Sequence, residues 1–410
     1  MSAPTAAKPE VKPLTYEVLK KAVEGGAAAF RCRRTLQPAG GPGDKVFPPT
    51  FAGAVYAIEK RRLPGREEPV TCVLLDSVQS QANRMEQALQ DAVDADQIRL
   101  PLIEVDFSQA LRSGELNEDP GRITSLTVPH RLADAILRDS EYREGDGGLV
   151  KFRESSVGRP INDASPRNAT AIYQLCPTAL VFGMWDSTGP KGGLGAKFER
   201  AMVSEIVGLN AAYDEGQRSR GVRRDPLQIV RAVGVVKAAD GSWTVAGGEA
   251  KKTLRPSEIN HGSVPFDNAN SGLTIERAEQ TVTLSGVVLR RLEFPGAAPE
   301  AKTAARCAIA ALGIVAATLS GAGGEALRSR CLLWPEGPMV WELLAAPGAE
   351  PEKFGTGTGQ AIALLATAAA AAAAAGLGWR TERVTLTPGE NLSELVRKSQ
   401  EQLLAATAEG

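Results

Sequence analysis

Apolar and polar positions alternate with two different periods along this chain, and the clearest change of period falls within residues 70–92. Residues 70–75 are a short β-branched apolar run of the kind that forms a buried strand. Asp76 and Ser77 interrupt the run and supply helix caps, with Gln79 three residues after Asp76 in a box-like position. Val78, Ala82, Met85, Leu89 and Ala92 then recur at spacings of four and three, which predicts a helix with one apolar stripe. Its outer ridge carries Ser80, Arg84 and Gln87, with Asn83 beside it. Solvated helix faces favour Glu and Lys, whereas amides, hydroxyls and guanidinium groups suit phosphate and sugar oxygens. A capped amphipathic helix with a polar outside accounts for the same pattern.

The periods predict the remaining elements in order. Residues 14–23 read as a helix stopped by Gly25-Gly26. Residues 27–36 alternate as a strand, with Phe30, Cys32 and Leu36 on one side and Arg31, Arg33 and Thr35 on the other. Arg34 falls on the apolar side and breaks the pattern. Residues 37–49 are turn chemistry containing Asp44 and Lys45, and residues 50–58 and 98–107 read as strands. Residues 126–137 end in a helix, and residues 158–168 form a loop with Arg159 and Arg167. Residues 170–183 read as a strand with Pro177 at an edge or bulge. A glycine-rich loop with Lys191 leads toward a predicted helix that buries Phe198, Met202 and Ile206 and presents Lys197, Arg200 and Ser204. Such a loop at a helix start is a generic anion site. It is not a Walker loop, because Phe198 stands where Ser or Thr would be needed. Residues 227–236, 242–246, 281–284 and 287–294 read as strands. Residues 256–274 are a long polar excursion between them, a feature that in a compact protein is usually either functional or disordered. A helix over 302–319, a hairpin of 330–334 with 339–344, and helices over 361–375 and 392–406 complete the chain.

The chain has 410 residues with net charge −1. No global field therefore draws in a polyanion, and a nucleic-acid site has to be a local gathering of cations. Five cysteines without a CxxC pair read as reduced, buried small residues of a cytoplasmic protein. Residues 1–13 read as a flexible lead with no apolar signal segment, and the tracts at 307–319 and 361–375 are too short or too alanine-rich to be expected as membrane spans. Neither His130 nor His261 has a partner at metal-ligand spacing, and no HExxH, GxSxG or dinucleotide fingerprint is present. No cofactor, metal site or catalytic residue is implied. The inventory left over, arginines, lysines, amides and glycines on strand faces and loops, suits recognition of a single-stranded nucleic acid by its backbone.

The stretches LLDSVQSQANRMEQAL, QPAGGPGDKVFPPTF, GGLGAKFERAMVSEIVG and PSEINHG resemble the RAMP-superfamily backbone protein of type I-U (I-G) CRISPR systems, the Cas-seven family member of that subtype. The resemblance runs from about residue 14 to about residue 344. It implies an α+β fold over residues 14–407: an RNA-recognition-motif (ferredoxin-like) palm, fingers inserted at about 100–167 and a β-hairpin thumb at about 256–279. It also implies a non-catalytic Cascade subunit that oligomerises in a helical filament along the CRISPR RNA. Implied partners are that RNA, the target DNA strand through the guide, further copies of the chain, a Cas-five/Cas-six-like subunit and a large subunit, with no membrane. Candidate RNA contacts are Arg31, Arg33, Lys45, Ser80, Gln81, Asn83, Arg84, Arg159, Arg167, Lys191, Lys197, Arg200 and His261. Two other readings differ in kind. Type III relatives cleave RNA with an aspartate in the loop after the first core strand, where Asp44 stands. A metabolic α/β enzyme would use the 183–197 loop for a phosphate.

Overall fold

Strand Ala29–Pro38 organises the protein because its two faces differ so sharply in character. In the computed structural model, which describes residues 11–52, 55–114, 116, 118–189, 195–212, 220–223, 233–238, 242–246, 253–259, 261, 264–267 and 272–409, this strand lies inside a ten-stranded sheet. Arg277–Ser285 pairs antiparallel along one side of it, followed by Met202–Leu209, Val70–Asp76 and Ile58–Arg61. On the other side, Val340–Leu344 pairs with residues 29–32 and Cys331–Pro335 with residues 36–38. These two strands thus meet the same neighbour end to end. They do not form the hairpin that the Pro-Glu-Gly-Pro turn suggested. Glu352–Gly355 and then Lys12–Pro13 complete that edge, so the end of the expected flexible lead is tied into the sheet.

One face of the sheet is covered by helices. Phe30, Cys32, Val282, Leu284, Met202 and Trp341 share a core with helices Tyr16–Glu24, Val78–Asp94 and Pro299–Ser320. Helix Pro299–Ser320 runs through the middle and is packed on its far side by Thr358–Ala374. Alanine-rich faces let these two helices approach closely. Pro299–Ser320 is long and apolar enough to cross a membrane, but 78% of its most apolar window is buried within the fold. It is the central core helix.

A second sheet of five strands joins Ile103–Val105, Ile123–Thr124, Ser140–Arg143 and Leu149–Lys151 to Val384–Pro388 from near the C-terminus. The sheet of the 100–167 insertion is therefore completed by a strand in the stretch between the two expected C-terminal helices, to which the sequence assigned no element. Further corrections concern period. Residues 170–183 form two short helices, Thr170–Leu175 and Thr178–Phe182, not a strand. Every side chain of Thr178–Phe182 is buried, which removes the helical signature there. Residues 286–290 are helical. Residues 197–209 are strands, Lys197–Phe198 and Met202–Leu209, where a helix was expected. Phe198, Met202 and Ile206 fit spacings of four and of two equally well, and sheet pairing decided between them.

The excursion between Met202–Leu209 and Arg277–Ser285 begins at residue 210, earlier than expected. It contains the antiparallel pair Arg220–Arg223 with Val264–Asp267 and the hairpin Val235–Lys237 with Trp243–Val245. Residues 277–279, assigned above to the thumb, belong to the central sheet. Parts of the expected 227–236 strand and 256–279 segment lie outside the described residues.

Candidate nucleic-acid interface

The Val70–Asp76 strand and the helix after it form the first group of the candidate site. The Ser77 hydroxyl caps the helix by accepting from the Ser80 N–H, as the sequence predicts for this position. Asp76 does not cap. It is 1% exposed and accepts from the Gln81 amide at 2.8 Å and Arg84 Nε at 3.0 Å. Arg328 reaches the other carboxylate oxygen at 3.5 Å. From Gln81 the network continues inward: Ser204 Oγ and Gln280 Nε2 both donate to Gln81 Oε1, at 2.8 and 2.9 Å. Gln280 also donates to Glu325 and accepts from Arg34. Arg34 Nη2 donates to the Gly321 carbonyl at 3.2 Å and pairs with Glu325 at 3.5 Å. The arginine that breaks the strand's alternation thus sits in a buried polar layer between the main core and a smaller one around Leu36, Val73, Leu75 and Leu333. Burial pushes the Glu325 carboxyl up, against the pull of Arg34.

This layer corrects two assignments. Gln81, 1% exposed, is an internal connector and presents nothing to a surface ligand. Arg84 is partly exposed, but besides Asp76 it donates to the carbonyls of Ala326 and Leu327, fastening the 326–330 turn to the helix. Arg328 acts in parallel, donating to the carbonyls of Phe47 and Leu75. Arg330, in the left-handed region at φ 58°, lies over the Phe47 ring at 4.2 Å. Sequence reading missed Arg328 and Arg330 because they lie some 250 residues from their partners. Around them, Ser80 is half-buried, Asn83 is exposed and Lys45 lies on the adjoining loop. Asp44 accepts from the Lys45 backbone N–H at 2.8 Å, and its carboxylate fills the space a Cβ at Gly40 would need.

The helix-free face of the sheet forms a second group. Arg31, Arg33, Thr35 and Gln37 line it, opposite Thr283, Thr281 and Glu279 of the neighbouring strand. Arg31 pairs with Glu342 at 2.7 Å. Arg33 is exposed and makes no ion pair among the described residues. Arg61, further across, is shared between Glu59 and Glu205. The face is thus a mixed charge lattice in which Arg33 is the available cation.

The third group surrounds the hairpin of Met184–Trp185 with Lys197–Phe198. Trp185 is 56% exposed and Lys197 Nζ lies 5.6 Å from its ring centre. Arg200 is exposed just beyond, whereas Lys191 lies outside the described residues. Lys197–Phe198, which follows the glycine-rich segment, is a strand and not the start of the expected helix, so the anion site expected there loses that helix's dipole; residues 190–194 lie outside the described residues. Buried Asp186 pairs with Arg153, which also donates to Asn162 and so braces this hairpin against the Arg159–Asp163 turn. Arg159, donating to the Glu154 carbonyl, and Arg167 are exposed there. His261 forms the fourth group, edge-on to Trp243 at 5.4 Å in the excursion. All five cysteines are buried and free, and the described residues contain no cluster suited to a metal ion.

Residues 30–213 match the family model described as CRISPR-associated protein GSU0053 (Cas_GSU0053). Over that span, a little under half of its length, the chain is similar to this CRISPR-associated family. The matched span covers strand Ala29–Pro38, the Val70–Asp94 unit, the insertion and strand Met202–Leu209. No curated protein matches the chain.

Proposed function

We propose that this chain is the non-catalytic backbone subunit of a type I CRISPR surveillance complex, lying in several copies along the CRISPR RNA and holding it by its phosphates. The carrying observation is the strand order, read together with the family match. Val340–Leu344, Ala29–Pro38, Arg277–Ser285 and Met202–Leu209 lie side by side and antiparallel, with helices Val78–Asp94 and Pro299–Ser320 on one face. Numbered along the chain these four strands run 4-1-3-2, which is the order of an RNA-recognition-motif palm. Val70–Asp76 and Ile58–Arg61 are then strands added beyond Met202–Leu209, residues 100–167 the fingers, and the excursion from residue 210 the thumb. Backbone recognition needs cations without base readers, and Arg33, Lys197, Arg200, Arg159 and Arg167 are exposed in this arrangement. Base pairing between the guide and the target DNA strand then supplies specificity, with a Cas-five/Cas-six-like subunit and a large subunit completing the complex. Asp44 is occupied in closing its own turn, which supports a role without cleavage.

The test is the nucleic-acid content of the protein purified from cells that carry a CRISPR array. RNA is expected to co-purify and to be released by joint charge reversal at Arg33, Lys197 and Arg200. A folded triple variant that keeps its RNA would refute the contacts. Cleavage of a guide-matched RNA in magnesium, lost on Asp44→Ala, would refute the non-catalytic reading.

A further inference from the structure

We propose that the cleft between Trp379–Arg380 and the loop at Arg99–Pro101, on the helix-bearing side of the molecule, binds a nucleotide unit: a phosphate together with its base. This site is separate from the sheet's open face and does not depend on the role proposed for that face. The cleft encloses about 470 Å³ and is lined by Arg99, Leu100, Pro101, Trp379, Arg380 and Arg383, among others. A second cleft, of about 320 Å³, lies on the other flank of the same Trp379–Arg380 ridge. Both volumes are within the range of small-ligand sites.

Two donors on the ridge lack acceptors. The Trp379 indole nitrogen and Arg380 Nε are both buried and have no hydrogen-bond partner among the described residues. Native proteins rarely leave such donors unmet, and a ligand's oxygens are the kind of acceptor they lack. The charge around the cleft agrees, since Asp96 is the acid among its lining residues and faces three arginines. Arg99 is exposed without an ion pair among the described residues. Arg380 meets Glu382 at 3.7 Å and Arg383 meets Glu104 at 3.2 Å, and Glu382 is 83% exposed. Such surface pairs are weak and yield readily to a phosphate that accepts from a guanidinium in two places. The remaining wall is largely apolar. The Trp379 ring leans on Tyr173 with centres 6.1 Å apart, and Leu100, Pro101 and the alanines of Thr358–Ala374 face the same space. An aromatic ring beside paired guanidiniums is the combination that stacks a base and holds its phosphate.

The nucleotide unit can come from a single strand or from a free nucleotide, and photocrosslinking separates the two. The full protein, as purified, would be irradiated with a short deoxyoligonucleotide carrying 5-iodouracil, and separately with 5-iodo-dUMP, and the crosslinked residue identified by mass spectrometry. Attachment at Trp379 is expected with at least one probe. Attachment with the strand alone identifies a strand site, and attachment with both identifies a nucleotide site. Joint Arg99→Glu and Arg383→Glu substitution, at exposed positions, is expected to lower the yield roughly tenfold while co-purified RNA and thermal midpoint stay unchanged. No crosslink at Trp379 with either probe, or an undiminished yield in the folded double variant, would overturn the proposal. Loss of co-purified RNA in the parent protein would bear on the palm reading alone.

Discussion

Arg33 and Arg34 are neighbours on one strand, yet replacing each by leucine should have opposite consequences. Arg34 is 6% exposed and serves the Gly321 carbonyl, Gln280 and Glu325. Glu325 is itself 2% exposed. Arg34→Leu strands that carboxylate and leaves two acceptors unmet, a loss of about 3–5 kcal/mol for breaking a buried pair from one side. At roughly 2 °C per kcal/mol for a large domain, the thermal midpoint should fall by roughly 6–10 °C. The loss should be greater at pH 8 than at pH 5. Burial already raises the Glu325 pKa in the folded state, so protonation favours the fold, and this contribution fades as pH rises through the folded-state value. Removing both partners, Arg34→Leu with Glu325→Leu, should recover most of the midpoint, because an apolar pair of similar volume avoids the desolvation penalty. Arg33→Leu, on the open face, should stay within about 0.5 kcal/mol of the parent. Scanning calorimetry of the four proteins at two pH values reads all of this. Equal midpoints for the two single variants, or a double variant no better than Arg34→Leu, would show that the polar layer is not built as described.

Other expectations follow from particular contacts. Glu86 is buried and accepts two hydrogen bonds from Arg131, both at 2.7 Å, yet burial pushes its carboxyl up to about 7. Its protonated form therefore adds stability that is complete below about pH 4.5 and lost as pH rises through about 7, and Glu86→Gln should flatten the pH dependence of the midpoint across that window. A Cβ at Gly158 would lie 1.9 Å from the Phe152 carbonyl oxygen, so Gly158→Ala should cost about 1–3 kcal/mol and open the 152–163 turns to limited proteolysis. Ser77→Ala removes the cap of helix Val78–Asp94 and should cost about 1 kcal/mol in chemical denaturation without releasing bound RNA.

Much of the architecture was legible where one face of an element is wet. Helix Val78–Asp94 and strand Ala29–Pro38 show their periods openly, since polar residues mark the side away from the core. Where an element is enclosed on every side, as at 178–182, the marker is absent and the period cannot be read. The candidate site divided along the same line. Exposed Arg33, Lys197 and Arg200 are visible as cations in loops and strand faces, whereas the duties of Gln81 and Arg84 depend on partners at 204, 280, 326 and 327.

Local order alone determined the caps, the alternation of Ala29–Pro38, the stripe on Val78–Asp94 and the motifs that carry the family resemblance. These depend on hydrogen bonds and burial patterns repeating within a few residues, so neighbours in sequence carry the information. Strand order, the closure of the insertion by Val384–Pro388 and the buried layer around Arg34 were decided only in three dimensions. Each joins groups tens to hundreds of positions apart, and an arginine's meaning reverses according to whether a carboxylate or solvent waits beside it.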